Sequence, residues 1–302
     1  MRKELLIGAI LVVCLAVPVL FFQIGARAQS GLDVENCKGC HEKLFKDIKV
    51  GQGGSMFLKH PSAPSEPLVC ESCHGSLTEH ADSNGGKFTG LIRFAKDPAA
   101  VKTRNETCLS CHAKRARMSW VGSTHEMRDL ACADCHNPHK SGAGTKFLLK
   151  SDTVIDTCNR CHKSQVANQM RFSHHPLREG KMTCTSCHQP HGSFADKLLR
   201  ANTINEQCWS CHPKYRGPFI HEHPPVRENC ANCHIPHGSN YPRLLKEPQL
   251  RLCRECHNSL EHGINFSAGQ RVNRTVGRLC TECHINIHGT NHPQGDAIFF
   301  LR

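Results

Sequence analysis

Twenty of the twenty-one cysteines fall in ten copies of the pattern Cys-x-x-Cys-His. The gap between the two thiols matches the separation of the two vinyl groups of a porphyrin, and the adjacent histidine then reaches the iron. The pattern therefore predicts ten covalently bound haems c. The thioether cysteines are Cys37, Cys40, Cys70, Cys73, Cys108, Cys111, Cys132, Cys135, Cys158, Cys161, Cys184, Cys187, Cys208, Cys211, Cys230, Cys233, Cys253, Cys256, Cys280 and Cys283. The proximal iron ligands are His41, His74, His112, His136, His162, His188, His212, His234, His257 and His284.

Two other uses of paired cysteines compete with haem. Zinc ribbons join Cys-x-x-Cys units fifteen to twenty residues apart, and the gaps from Cys111 to Cys132 and from Cys211 to Cys230 are compatible with that. Zinc gives no reason for a histidine to follow the second cysteine every time. A disulfide framework would require each close pair to find distant partners in a very regular array. The pattern favours haem.

The histidines outside the motifs indicate the second axial ligand. Ten proximal histidines leave thirteen of the twenty-three, and these recur once between two motifs and once after the second motif. Where two histidines compete for one place, the sequence leaves the choice open. The distal candidates are His60 and His80; His125 and His139; His174 or His175 with His191; His221 or His223 with His237; and His262 with His288 or His292.

Ligation by two histidines would determine whether the irons bind substrates or only transfer electrons. With both axial positions filled, an iron has no site for a small substrate and passes electrons at low potential. We therefore expect an electron carrier rather than an enzyme. His139, His191 and His237 follow their own proximal histidines by only three residues. They could hardly cross to the opposite face of the same haem, so each is expected to serve a neighbouring one.

The motifs are carried by a repeat of about fifty residues with two haems each. Pro-His-x-Ser segments lead to Leu-Leu pairs, interpreted as packing on haem faces, before the next motif. After a signal peptide at 1–28, residues 29–302 form one decahaem domain of five di-haem repeats, at about 30–100, 101–150, 151–200, 201–246 and 247–302. The predicted fold is a multihaem cytochrome c that is elongated and mostly irregular, with short α-helices, a haem-stacked core and little or no β structure.

The N-terminal segment and the net charge indicate where the protein is located and which partners it can have. Arg2 and Lys3 precede an apolar run to Phe22 and a small-x-small site at residues 26–28, which predicts a cleaved export signal, with an uncleaved anchor as the alternative. Export places the protein in the periplasm. The formal net charge of +12 falls to +10 without the signal, and twenty haem propionates would make the holoprotein negative. Basic residues are scattered, so no nucleic-acid partner is expected.

Several features resemble a known family. The ten motifs, the repeated Pro-His-Gly-Ser and the closing Cys-x-x-Cys-His-Ile-Asn-Ile-His-Gly-Thr-Asn-His-Pro resemble the periplasmic decahaem cytochromes of the MtrA/DmsE type over nearly all of the mature chain. The resemblance implies a row of bis-histidine haems inserted in an outer-membrane β-barrel porin. It also implies an extracellular multihaem cytochrome and periplasmic or inner-membrane electron carriers as partners, with electrons crossing to or from the cell exterior.

Two alternative functions remain open at this point. One is a free periplasmic electron shuttle, or the electron-donating subunit of a reductase. The other is a multihaem redox enzyme in which one haem keeps an open axial position.

Overall fold

A computed structural model describes residues 34–50, 70–94, 101–114, 117–140, 146–257 and 278–293. The predicted signal at 1–28 and the distal candidates His60 and His262 lie outside these residues. The chain divides into two compact units. One is Met1–Ala100 with His139–Ser141, and the other is Val101–Pro138 with Gly142–Arg302.

Short helices joined by turns make up the described chain. The α-helices are α1 (Val34–Val50, interrupted by non-helical angles at His41), α2 (Glu71–His74), α3 (Thr78–Asp82), α4 (Val101–His112), α5 (Cys132–Cys135), α6 (Val154–Asn159), α7 (Lys163–Asn168), α8 (Ile204–Trp209), α9 (Pro224–Glu228) and α10 (Gln249–Arg254). Single 3₁₀ turns lie at Glu126–Arg128, Lys146–Leu148, Cys184–Ser186, Asp196–Leu198, Pro213–Tyr215, Cys230–Asn232, Pro242–Leu244 and Cys280–Glu282. Within the described residues no helix is long and apolar enough to cross a membrane.

The repeat seen in the sequence reappears in these helices. The first motif of a repeat lies at the end of a helix, as in α6 and α8. Thr153 and Thr203 cap the beginnings of these two helices by accepting the backbone N–H groups of Asp156 and Glu206. The second motif forms a single turn, as in α5 and at Cys184–Ser186. The two haem sites of each repeat are therefore built differently.

Paired backbone in the described chain is limited to five isolated bridges, and no strand is formed there. Buried apolar side chains are also few within the described residues, namely Leu77, Trp120 and Ala131. A chain with so small an apolar core needs another source of burial, which bound porphyrins would supply. The prediction of short helices in a mostly irregular chain without sheet is confirmed.

Candidate haem-binding sites

Eight motifs of the described chain each fold into one helical turn. The backbone N–H of the motif histidine donates to the carbonyl of the first cysteine at 2.8–3.1 Å in the motifs of His74, His136, His162, His188, His212, His234, His257 and His284. In a helical turn, positions i, i+3 and i+4 lie on one face. The two thiols and the imidazole of a motif thus face the same side, as attachment of one porphyrin and ligation of its iron require.

Within a repeat, the first cysteines of the two motifs lie side by side. The thiols of Cys158 and Cys184 are hydrogen-bonded, as are those of Cys208 and Cys230. The hydrogen bond raises the pKa of Cys208 and lowers the pKa of Cys230 to about 7. The same contact joins the other repeats, between Cys37 and Cys70, Cys108 and Cys132, and Cys253 and Cys280. The two porphyrins of a repeat would therefore be attached at adjacent points.

Between repeats, the second cysteines are neighbours instead. Cys187 of one repeat and Cys211 of the next lie close enough for their charges to interact. Cys135 and Cys161 do the same, as do Cys233 and Cys256. Contacts within and between repeats alternate, so the attachment points form one continuous series from Cys108 to Cys280.

Motif histidines face histidines from outside the motifs. Their ring centroids lie 5.7–6.3 Å apart in seven pairs of the described chain, and each pair joins one motif histidine to one other. Two metal–nitrogen bonds of about 2 Å in line, plus about 1 Å from each nitrogen to its ring centre, place two centroids about 6 Å apart. The pairs therefore fit an iron held between two imidazoles. They are His41–His80, His74–His139, His162–His125, His136–His191, His188–His237, His257–His223 and His234–His288.

The pairs follow a rule. The histidine after a second motif faces the second-motif histidine of the preceding repeat, as His237 faces His188. The histidine between two motifs faces the first-motif histidine of the following repeat, as His125 faces His162. At the N-terminal end, His80 faces His41 of its own repeat. The rings brought together thus belong to different haem motifs, as the sequence predicts for His139, His191 and His237.

The structure also separates the competing candidates. Of the alternatives at these two places, His223 faces His257 and His288 faces His234. The ring of His174 bonds the carboxylate of Glu179 at 3.2 Å. The sequence could not distinguish these neighbours because spacing alone does not show which ring faces an iron.

Backbone carbonyls orient the proximal rings of the second motifs. His136, His188 and His234 each donate from Nδ1 to a carbonyl at 2.8 Å, and the acceptors are Phe147, Lys197 and Arg243. Such a bond fixes the tautomer and leaves Nε2 for a metal.

Each acceptor lies in a turn that only an unusual backbone can form. Lys197 and the leucine after it have φ of +57° and +55°. The corresponding pairs Phe147–Leu148 and Arg243–Leu244 have φ between +54° and +65°. Non-glycine residues in this left-handed region cost about 1–2 kcal/mol each. Sequence reasoning missed these turns, since the Leu-Leu pairs suggested only packing.

The candidate distal histidines of the first motifs are anchored in another way. His125 donates from Nδ1 to the carbonyl of Pro190, and His175 to that of Pro236, both at 2.8 Å. These prolines directly precede the distal histidines His191 and His237. Each Pro-His segment therefore carries a candidate ligand for one haem, and its proline carbonyl orients the candidate ligand of another haem.

Burial keeps the distal rings of the second motifs neutral. It lowers the pKa of His191 and of His288 to about 4, and the neighbouring rings His136 and His234 add to the effect. A neutral imidazole offers the lone pair that iron needs.

An asparagine also connects the two motifs of a repeat. Asn205 is 5% exposed; it donates to the carbonyls of Val226 and Arg227 and accepts the N–H of Cys230 at 2.7 Å. Asn105 makes the equivalent bonds to Leu130 and Cys132. The sequence does carry a signal for this role, an asparagine three residues before the first cysteine of these repeats, but the motif spacing drew no attention to it.

These sites define the class of protein, a multihaem c-type cytochrome. Residues 174–217 and 223–262 match the family described as doubled CXXCH motif, and residues 70–154 match that described as cytochrome c-type protein NrfB-like. The chain is 39% identical over 286 residues to the "Multiheme cytochrome MtrA" of Shewanella baltica (strain OS185), covering 92% of this chain and 84% of that protein. The chain belongs to the family of multihaem cytochromes that includes this relative. It carries covalently bound haem c and transfers electrons.

Proposed function

We propose that the chain carries electrons through ten bis-histidine haems c between periplasmic electron carriers and the cell exterior. The observation that supports this most strongly is the set of histidine pairs about 6 Å apart, each beside a motif whose thiols continue the series of attachment points. Filled axial positions make electron transfer, rather than catalysis at the iron, the role of every haem.

The pairing rule extends to the remaining motifs. His175 is assigned to His212, because both rings interact with His234 and the rule matches a between-motif histidine to the next first motif. By the same rule, His60 serves His112. His262 would serve His284 of its own repeat, in the way that His80 faces His41 of its own repeat. His60 and His262 lie outside the described residues, so these two assignments rest on the repeat alone.

Bound haem c supplies a one-electron couple at each iron. Two cysteines would hold each macrocycle and two histidines would ligate its iron, with backbone carbonyls orienting the rings, as at His188. Adjacent thiols such as Cys208 and Cys230 keep neighbouring attachment points together, which favours electron exchange between neighbouring haems. The neutral, buried rings of His191 and His288 hold their positions without a charge to solvate.

The location and partners follow from the family resemblance. A cleaved signal would deliver the chain to the periplasm. There it would associate with an outer-membrane β-barrel porin and, across it, with an extracellular multihaem cytochrome.

A pull-down of the tagged native protein from separated outer membranes, in mild detergent with mass spectrometry, tests this proposal. We expect a β-barrel protein to co-purify. Recovery of the cytochrome alone in the soluble periplasmic fraction would contradict the conduit and favour a shuttle. A high-spin ferric signal in the purified protein would contradict the bis-histidine assignment and favour an enzyme with an open haem.

A further inference from the structure

The glycine after the distal histidine is a recurrent feature that the haem motifs do not explain. Gly192, Gly238 and Gly289 each directly follow a distal histidine, and their φ values are +111°, +131° and +128°. Residues other than glycine rarely adopt these backbone angles. The same position in repeat 2 is occupied by Lys140, which is not among the described residues of positive φ.

At two of the three glycines the backbone itself leaves no space. A Cβ on Gly192 would meet the carbonyl oxygen of Ser119 at 1.8 Å, and one on Gly238 would meet that of Asn168 at 2.0 Å. Real Cβ atoms do not approach this closely, so either chain segment would have to move. Both contacts lie in the segment just before a between-motif histidine, six residues before His125 and seven before His175.

At the third glycine the space is taken by a side chain. A Cβ on Gly289 would meet the ring of Phe219 at 2.2 Å. Beside it, His221 and Thr290 exchange two backbone hydrogen bonds of 3.0 Å. The two segments joined here carry His223 and His288, which face His257 and His234.

The surroundings of Gly238 show what the close approach holds together. Ser173 and Ser239 exchange backbone hydrogen bonds of 2.9 and 2.8 Å, and Ser239 is 1% exposed. On either side, His175 bonds the carbonyl of Pro236, and His237 faces His188 at 6.0 Å. Separating the two segments would lengthen both of these contacts.

We propose that Gly192, Gly238 and Gly289 are positioning residues, each of which sets two axial histidines belonging to two different haems. The absence of a side chain lets two segments from successive repeats touch, and each segment carries one distal histidine. This proposal rests on the bis-histidine ligation proposed above and adds that one residue controls two irons.

Gly289 offers the sharpest test because its contact can be removed. In Gly289→Ala we expect one or two of the ten haems to become high-spin, seen by electron paramagnetic resonance of the oxidised holoprotein. These are the haems of His234 and His257, and His288→Ala supplies the reference signal for the first. Phe219→Ala alone should stay low-spin. The double variant should regain part of the low-spin signal, because its Cβ no longer meets a ring while the strain of an alanine at φ +128° remains.

Two further variants extend the test to other glycines of positive φ. Gly180 also has a positive φ, +68°, with nothing within 4 Å of its Cβ position, so Gly180→Ala should leave all haems low-spin. Gly238→Ala, where the obstacle is backbone, should disturb the haems of His188 and His212.

Each result bears on one proposal. Should Gly289→Ala and Gly238→Ala keep fully low-spin spectra, with at most a lower unfolding temperature, the glycines are merely structural and the inference fails. An unrescued double variant would also overturn it. High-spin iron in the unmodified protein would instead count against the proposed bis-histidine function itself.

Discussion

The two haem motifs of each repeat hold their histidines in opposite ways. In the second motif, the proximal ring of His188 is half-buried and bonded to a carbonyl, while its partner His237 is held by packing. In the first motif, the proximal ring of His162 is exposed and bonds no protein group within the described residues, while its partner His125 is bonded to a carbonyl. The difference teaches that in each of these two sites the backbone fixes one histidine and leaves the other to packing.

This exchange of roles has a physical reason. A motif at the end of a helix, as in α6 or α8, is followed at once by another helical turn, at Lys163–Asn168 or Pro213–Tyr215. A motif in a single turn is followed, nine residues after His188, by the left-handed turn whose Lys197 carbonyl accepts its Nδ1–H. Since both arrangements leave one ring oriented and its Nε2 available, both satisfy the same iron.

The largest effect should come from removing a distal ring held only by packing. In His288→Ala, we expect one haem in ten to become high-spin and its potential to rise, because the iron of His234 loses one imidazole. Electron paramagnetic resonance and a redox titration measure both changes. His292→Ala is the matched control, and equal effects of the two variants would contradict the assignment of His288.

A smaller effect is expected where the two kinds of motif are joined. Repeat 4 uses Asn205, while repeat 3 has Ile155 at the same place. Asn205→Ile should reduce the free energy of unfolding by about 1–3 kcal/mol, because it leaves the buried N–H of Cys230 and two carbonyls without their partner. Thermal unfolding of the holoprotein measures this. The exposed Asn202→Ile is the control, and an equal loss there would refute a specific role for Asn205.

The smallest effect concerns the turn that anchors the second motif. Lys197→Gly should stabilise the protein by about 1 kcal/mol, because glycine adopts a φ of +57° without strain. Lys197→Val should destabilise it by a similar amount and loosen the ring of His188. The unfolding temperature gives the sign, and a stabilising valine would contradict the strained turn.

The sequence predicts the attachment chemistry well and the supporting backbone poorly. The motifs predict thioether cysteines such as Cys208 and the proximal His212, because their spacing matches the vinyl groups and the iron of one porphyrin. The left-handed turn at Lys197 has no signal in the sequence, because lysine and leucine normally avoid a positive φ. The recurrence of glycine at positions such as Gly238 is visible in the sequence. The carbonyl of Asn168, which leaves no space for a side chain there, lies seventy residues away along the chain.

The choice between adjacent histidines is beyond the sequence for a related reason. His174 and His175 are the same residue type at adjacent positions, and only their contacts distinguish them. His175 bonds the carbonyl of Pro236, whereas His174 bonds the carboxylate of Glu179. Short helices and the absence of strands in the described chain were easier to predict. Frequent glycine and proline shorten helices, and the lack of alternating apolar residues disfavours strands.

The central claim is that every haem of this chain is held between two histidines. Near-infrared magnetic circular dichroism of the oxidised protein, with a haem count on the same sample, tests it most directly. We predict ten haems per chain and a single class of low-spin bands from bis-histidine iron. Fewer haems, or a band from high-spin or histidine–methionine iron, would contradict the claim.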